Sequence, residues 1–110
     1  MAINLKKTTK KDIASIKGIR LGVTSAGIKD DATDLLVIAL PDNSNVAGLF
    51  TQNQFCAAPV ILSKDHLAHE DNIRALVINS GCANAGMGQQ GTDDAKTVCK
   101  SLAKHLDINE

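Results

Sequence analysis

The sequence predicts a mixed α/β fold, on three observations. Short apolar runs rich in β-branched residues recur along the chain, and residues 35–40 and 73–78 are the clearest of them. A loop of glycine and asparagine, residues 79–91, follows the second run and leads into a stretch with helical periodicity. Hydrophobic residues make up 44% of the 110 residues and charged residues 22%, which is typical of a globular chain rather than a disordered one.

The N-terminal half contains three predicted strands. In residues 19–24 apolar and polar positions alternate, which predicts a half-buried strand. Residues 35–40 predict a second strand, closed by the turn sequence Pro-Asp-Asn-Ser at 41–44. Residues 46–51 predict a third, which forms an antiparallel hairpin with the second. The lysine-rich residues 1–17 before these strands are interpreted as an N-terminal arm.

Residues 18–110 are interpreted as a partial α/β domain, and its C-terminal half is predicted to carry two helices. An extended run at 59–62 leads into a short helix that begins at Ser63 and ends near Asn72. After the strand at 73–78 and the loop, Thr92 is the predicted N-cap of a second helix, because its hydroxyl can accept a backbone N–H bond. Asp93 and Asp94 would then lie in the first turn. The apolar face of this helix comprises Ala95, Val98, Cys99, Leu102 and Leu106, and lysines 96, 100 and 104 lie outside it.

Charge and cysteine content exclude several classes of protein. Twelve basic residues balance twelve acidic ones, and the chain lacks Trp and Tyr, so nucleic-acid binding is not expected. Cys56, Cys82 and Cys99 form neither a disulfide framework nor a paired zinc motif, which favours reduced thiols in the cytosol. Neither a secretory signal nor a membrane-spanning run is visible. A cytoplasmic protein without a membrane partner is expected.

The loop contains one motif with a known mechanism. Residues 86–91, Gly-Met-Gly-Gln-Gln-Gly, match the G-x-G-x-x-G pattern that places a pyrophosphate at a helix N-terminus. The match is imperfect, because the strand ends well before Gly86 and because Asp93 and Asp94 would bring negative charge beside the phosphates. A tight glycine loop is the favoured interpretation. A stand-alone module that binds an anion or a nucleotide remains the alternative.

Two other groups of residues could carry chemistry. Cys82 lies in the loop near a helix N-terminus, where a thiol can act as a nucleophile, but no histidine is close to it in sequence. His66 and His69 are three residues apart on a predicted helix, with Glu70 and Asp71 beside them, yet two imidazoles make a poor zinc site. A small structural cysteine and a solvated helix end are favoured. The residues by themselves predict no catalytic set, no metal and no cofactor.

Five segments in order resemble the motifs of one family. Ala-Gly-Ile-Lys at 26–29 followed by Asp34 resembles A-G-I-K…D-L, residues 47–53 resemble A-G-V-F-T-x-N, and residues 57–60 match A-A-P-V. Residues 74–81 resemble R-A-[LIV]-V-x-N-S-G, which continues into a loop resembling N-S-G-N-A-N-A-x-T-G-x-x-G. Together these segments resemble the ornithine acetyltransferase family. Cys82, Gly86 and Met87 depart from it, since the family usually has asparagine, cysteine and threonine there.

This resemblance implies the N-terminal portion of the α-chain of a bifunctional glutamate N-acetyltransferase of arginine biosynthesis. Members resemble N-terminal-nucleophile enzymes, whose precursor cuts itself before a threonine. That threonine takes the acetyl group from N-acetylornithine and passes it to glutamate. The threonine, and the Thr-Gly pair that supplies the oxyanion hole, lie beyond the equivalent of Glu110. No catalytic residue is therefore assigned to this chain, which is expected to be inactive alone.

The resemblance also implies partners and a role for the loop. The expected partners are N-acetylornithine, glutamate, the remainder of the α-chain and the β-chain, in an oligomer; use of acetyl-CoA is left open. The loop is expected to shape the acyl-enzyme site, with asparagines that only satisfy turn backbone as the alternative. Without its partners the chain should expose strand edges and apolar surface and self-associate. The candidate loop residues are Asn79, Ser80, Gly81, Asn84 and Gly88.

Overall fold

The structure, a computed structural model, describes residues 16–109 and contains three strands and two helices there. The order of elements is β1 (Arg20–Thr24), β2 (Leu35–Ala39), α1 (Ala58–His69), β3 (Ala75–Asn79) and α2 (Gly88–Leu106). The mixed α/β architecture is therefore confirmed. Most of the predicted arm, residues 1–15, lies outside the described residues. Within residues 16–109, neither helix has the length and apolar content needed to cross a bilayer.

The strands form one antiparallel sheet with β2 in the centre. Val37 of β2 lies opposite Gly22 of β1 on one side and Val77 of β3 on the other. Both edges of β2 are thus occupied, and no edge is left for a hairpin with residues 46–51. The predicted third strand is wrong: residues 46–51 form no regular element, and Leu49 is fully exposed. Apolar composition alone cannot make a strand when no neighbour offers hydrogen bonds.

The predicted extended run at 59–62 is also wrong, because these residues lie in α1. Proline suits the first turn of a helix, where its missing N–H would have no intrahelical partner, and Pro59 occupies that position. Ala58 and Leu62, one helical turn apart, are both buried. The apolar run is therefore the start of a helix; the predicted helix is confirmed from Ser63 to His69, and it ends before the predicted limit near Asn72.

Helix α2 begins at Gly88, one turn before the predicted N-cap at Thr92. The Thr92 hydroxyl lies 3.5 Å from the carbonyl of Gly88, so it bonds back along the helix instead of capping it. Gln89 Nε2 and Gln90 Nε2 donate to the carboxylates of Asp93 and Asp94, at 2.9 and 2.8 Å. These pairs, four residues apart, stabilise an additional first turn. The aspartates consequently lie in the second turn, and the predicted charge at the helix start is wrong.

The two faces of the sheet differ in what covers them. On one face, Ala75 and Val77 line a cavity of about 370 Å³ together with Cys99, Leu102 and Ala103 of α2. Because side chains alternate along a strand, the residues between these positions point to the opposite face, where cross-strand partners meet. Several of its side chains are largely exposed. This opposite face, called the open face below, comprises Leu21, Val23, Leu36, Ile38, Leu76 and Ile78.

Candidate functional site

Asp34 joins two segments that are distant in sequence. Its carboxylate accepts backbone N–H bonds from Ala26 and Ile28, both at 2.6 Å, and from Lys29 at 2.9 Å. Its backbone carbonyl accepts the N–H of Ser80 at 2.8 Å. The residue is only 3% exposed. Asp34 therefore holds the 26–29 turn against the first residue after β3.

The backbone hydrogen bonds also set the charge state of this carboxyl group. The N–H of Ala26, followed by those of Lys29 and Ile28, lowers the pKa of Asp34, while burial acts in the opposite direction. The hydrogen bonds stabilise the anion because each N–H group points its partly positive hydrogen at a carboxylate oxygen that carries negative charge. Asp34 is consequently ionised at neutral pH.

Lys29 extends from that turn across the start of the loop. Its ammonium donates a hydrogen bond of 2.6 Å to the hydroxyl of Ser80. Its aliphatic stem covers Gly81, where a Cβ atom would lie 2.7 Å from Lys29 Cγ and 3.0 Å from Cε. Gly81 also has φ +112°, a conformation that residues with a side chain rarely adopt. Glycine is required here for both reasons.

The asparagines of the loop bond to each other rather than to turn backbone. Asn84 Nδ2 donates to Asn79 Oδ1 at 3.1 Å, which closes the loop at its base. Cys82 Sγ lies 3.9 Å from Asn84 Oδ1, a long contact for a thiol donor. Asn79 and Cys82 are exposed, and Asn84 is half-buried. Cys82, which stands where the resemblance implies asparagine, thus contributes only a weak contact.

Gly88, the last candidate residue, lies apart from this group at the start of α2. It has φ +57°, and open space surrounds the position where a Cβ would lie. Beside it, between the first turns of the two helices, is a groove of about 310 Å³. Phe55, Ile61 and Met87, each more than half exposed, line the groove, and Asn84 borders it. The loop therefore connects the Lys29–Ser80 contact at one end with an apolar groove at the other.

In the G-x-G-x-x-G match, Gly86 and Gly88 supply backbone with positive φ, and Gly91 serves packing. Gly86 has φ +74°, which favours glycine, while a Cβ there would lie in ordinary contact with the Phe55 ring, at 3.4 Å. Gly91 lies inside α2, where a Cβ would meet Met87 at 2.5 Å and Ala58 of α1 at 3.7 Å. The dinucleotide pattern belongs to parallel βαβ units, whereas every strand pair in the described sheet is antiparallel. These observations favour the tight-loop interpretation.

The histidines of α1 lie away from the loop. His69 Nδ1 lies 2.9 Å from the carbonyl of Asp65 and 3.1 Å from its carboxylate, and His66 borders the cavity between α1, α2 and β3. Across residues 16–109, three or more His, Cys, Asp or Glu side chains are nowhere grouped as metal ligands would be.

The residues that sequence reasoning missed are Lys29 and Asp34. Both were visible within a family motif, but neither was a candidate, because nothing local links position 29 to position 80. A partial signal was present, because aspartate side chains often accept hydrogen bonds from backbone N–H groups of nearby turns. The partner of the lysine could not be found in this way, since it lies 51 residues further along the chain.

Comparison with known sequences gives matches over almost the whole chain. The ArgJ family model matches residues 20–110. The arginine biosynthesis bifunctional protein ArgJ of Neisseria gonorrhoeae is 49% identical over 107 residues, which cover 96% of this chain and 26% of that protein. The protein of the same name from Colwellia psychrerythraea is 46% identical over 119 residues, covering 98% and 28%. The chain therefore spans about a quarter of the length of these curated relatives.

Solved structures give the same fold. The arginine biosynthesis bifunctional protein ArgJ of Bacillus halodurans superposes with a TM-score of 0.78 at 33% identity, over 84% of this chain and 49% of that one. The ornithine acetyltransferase of Mycobacterium tuberculosis, solved in complex with ornithine, gives a TM-score of 0.76 at 37% identity, over 83% and 48%. The fold expected from the motifs is thereby confirmed.

Proposed function

The chain belongs to the ArgJ family, and on that premise we propose that it is the N-terminal part of the α-chain of an arginine-biosynthesis acetyltransferase. The proposed reaction moves an acetyl group from N-acetylornithine to glutamate. The observation that carries the proposal is the meeting of two family motifs that lie far apart in the sequence: the 26–29 turn with Asp34, and the Asn-Ser-Gly segment at 79–81. Convergence of these two motifs indicates a site rather than two unrelated segments.

The proposed chemistry runs through an acyl-threonine on polypeptide that follows these residues. The threonine hydroxyl attacks the acetyl carbonyl of N-acetylornithine and its proton passes to a base, which returns that proton to the departing nitrogen as the C–N bond breaks and ornithine is released. The amine of glutamate then attacks the ester, which regenerates the hydroxyl and yields N-acetylglutamate. A Thr-Gly pair on the same later polypeptide holds the oxyanion. The 110 residues supply neither group and are inactive alone.

The lengths of the relatives support a two-chain protein. The matched region is about half of each solved chain, but only about a quarter of each curated relative. The solved chains are therefore about half as long as the curated proteins. Self-cleavage of a precursor into two chains of similar length would produce this relation. The ornithine bound to the Mycobacterium tuberculosis relative supports an ornithine derivative as the first substrate.

We assign residues 79–91 to the wall of the acyl pocket. Asn79 and Asn84 close the loop on itself, and the half-buried Asn84 also borders the apolar groove at the start of α2. Such a loop presents amide groups and a small apolar surface, which suits an acetyl group. Gly81 and Gly88 supply the left-handed turns that this path requires.

The open face is assigned to the remainder of the polypeptide. A curated relative has roughly three times as much chain outside the matched region as within it, so ample polypeptide exists to cover the face. Apolar sheet faces are stable only when another layer covers them.

A cytoplasmic location suits the three cysteines, since they form no disulfide in the described part of the chain.

The proposal is tested on the full-length protein. We expect a reading frame that continues past residue 110 into a Thr-Gly pair and a later cleavage threonine, and two chains after purification. Acetyl transfer from N-acetylornithine to glutamate is followed by mass spectrometry. A single uncleaved chain without transfer activity would overturn the proposal.

The role of the loop needs a separate measurement. Asn79→Ala and Asn84→Ala should each slow transfer without abolishing it, because they alter the pocket wall and leave the nucleophile intact. Asn72→Ala, on the exposed turn before β3, is the matched control and should transfer at the wild-type rate. If both loop variants keep wild-type rates of cleavage and transfer, the loop is only scaffold.

A further inference from the structure

The side chain of Lys29 contacts the start of the loop, and hydrogen bonds fix the backbone of the turn that carries this lysine. Asp34 fixes the backbone of the 26–29 turn through three N–H bonds, one of them from Lys29 itself. From that fixed point the lysine side chain runs over Gly81 to the Ser80 hydroxyl. The same aspartate receives the Ser80 N–H through its carbonyl. Ser80 is therefore bonded to one small unit through its backbone and through its side chain.

We propose that Lys29 is a positioning residue, whose ammonium holds Ser80 and thereby sets the path of residues 80–84 beside the acyl pocket. This inference rests on the proposed function, because it assigns a purpose to a contact at the edge of that pocket. Lys29 acts through Ser80 and contacts no substrate. A lysine in free solution samples many rotamers, but here packing on Gly81 restricts the stem.

Two features of the contact favour positioning over an ordinary surface hydrogen bond. Exposed ammonium groups usually gain little, because water competes and the long side chain must be ordered. For Lys29, however, the stem is packed on Gly81 and the backbone is held by Asp34, so forming the hydrogen bond costs less conformational entropy. Gly81 has no Cβ and lets the stem lie directly over the loop backbone. The lysine stem and the Gly81 backbone are thus in direct contact.

The test uses the full-length protein with single and paired variants. Lys29→Met keeps the stem over Gly81 and removes the ammonium, whereas Ser80→Ala removes the acceptor. We expect each to raise amide hydrogen exchange in residues 80–84 by about tenfold and to lower kcat/KM for N-acetylornithine by about tenfold. The double variant should lose no more than either single one, since both remove the same bond. Lys29→Arg, which retains a donor, should recover most of the loss.

The controls separate this inference from the proposed function. Lys96→Met, on the exposed side of α2, should change neither exchange nor kcat/KM. Exchange in α2 and in the sheet reports whether each variant is folded. If the wild-type protein transfers no acetyl group, the proposed function fails, while exchange still decides whether Lys29 positions the loop.

Three results would overturn the positioning role. One is wild-type exchange of residues 80–84 in Lys29→Met. Another is a double variant whose loss is the product of the two single losses, since independent effects multiply. The third is a rise in KM alone with unchanged exchange and kcat, which would make Lys29 a direct contact of the substrate.

Discussion

The open face should make the 110-residue chain self-associate when it is isolated. Its most exposed side chains are Leu21 at 63%, Val23 at 65%, Leu76 at 48% and Ile78 at 43% exposure. Together they leave about two whole apolar side chains in contact with water, and burying one such side chain is worth about 1.5–3 kcal/mol. One face therefore gains about 3–6 kcal/mol on burial, and two faces packed together gain about 6–12 kcal/mol.

This gain has to be compared with the cost of bringing two molecules together. Loss of free translation and rotation costs about 4–15 kcal/mol, a range that overlaps the gain. The expected dimer is consequently weak, since even the largest gain set against the smallest cost leaves about 8 kcal/mol, which corresponds to a Kd no tighter than about 1 µM. Lysines in place of Leu21 and Val23 remove more than half of the apolar surface that these four side chains expose, and they place like charges opposite each other across the interface. The double variant should be monomeric.

Sedimentation velocity over a concentration series that spans the expected Kd measures this association. Leu49→Lys is the matched control, because it makes the same kind of change at a fully exposed position away from the sheet. Circular dichroism checks that β1 variants keep the wild-type secondary structure. If the Leu21→Lys/Val23→Lys chain associates as strongly as the wild type, or if Leu49→Lys alone abolishes association, the open face is not the contact.

Two further predictions concern the segment around Asp34. Gly81→Ala should lower the free energy of unfolding by about 1–3 kcal/mol through backbone strain, and by more where the new methyl displaces Lys29. Gly27→Ala, which is also strained at φ +80° but lies in open space, is the control, and urea unfolding measures both variants. Equal losses of unfolding free energy in the two variants would show that the Lys29 stem contributes nothing. Folding lowers the pKa of Asp34, so the ionised carboxylate stabilises the folded state. This contribution is complete at pH values above the ordinary pKa of an aspartate, and it is lost as the pH falls through the lowered pKa of the folded state. Thermal unfolding of wild type and Asp34→Asn should therefore converge on acidification, and a constant difference at every pH would contradict this.

The elements that the sequence predicted well are those decided by local patterns. The apolar runs of β2 and β3 and the amphipathic face of α2 need only neighbouring residues to be recognised. The start of α1 was missed because an apolar run after a proline suits a strand or a helix equally, and the buried contacts of Ala58 and Leu62 decide it. The false strand at 46–51 has the composition of a strand, but both sides of β2 are taken.

The candidate site shows the same division between local and non-local information. Asn79, Ser80, Gly81 and Asn84 were identified from one continuous segment, and they lie close together. The contact that organises them comes from Lys29, which no periodicity or spacing rule connects with Ser80. Gly88 was grouped with the loop by sequence, yet it belongs to the first turn of α2. Their participation in acetyl transfer remains a prediction.

An uncovered hydrophobic sheet also bears on how such a protein is made. If these residues are synthesised first, the sheet can form while about three quarters of a chain as long as the relatives is still to be made. At about 5–20 residues per second, synthesis of that remainder takes on the order of tens of seconds. During that interval, nascent chains on neighbouring ribosomes can associate through the open face. Efficient production therefore calls for a holdase chaperone at the exit tunnel, or for slow initiation that keeps nascent chains apart.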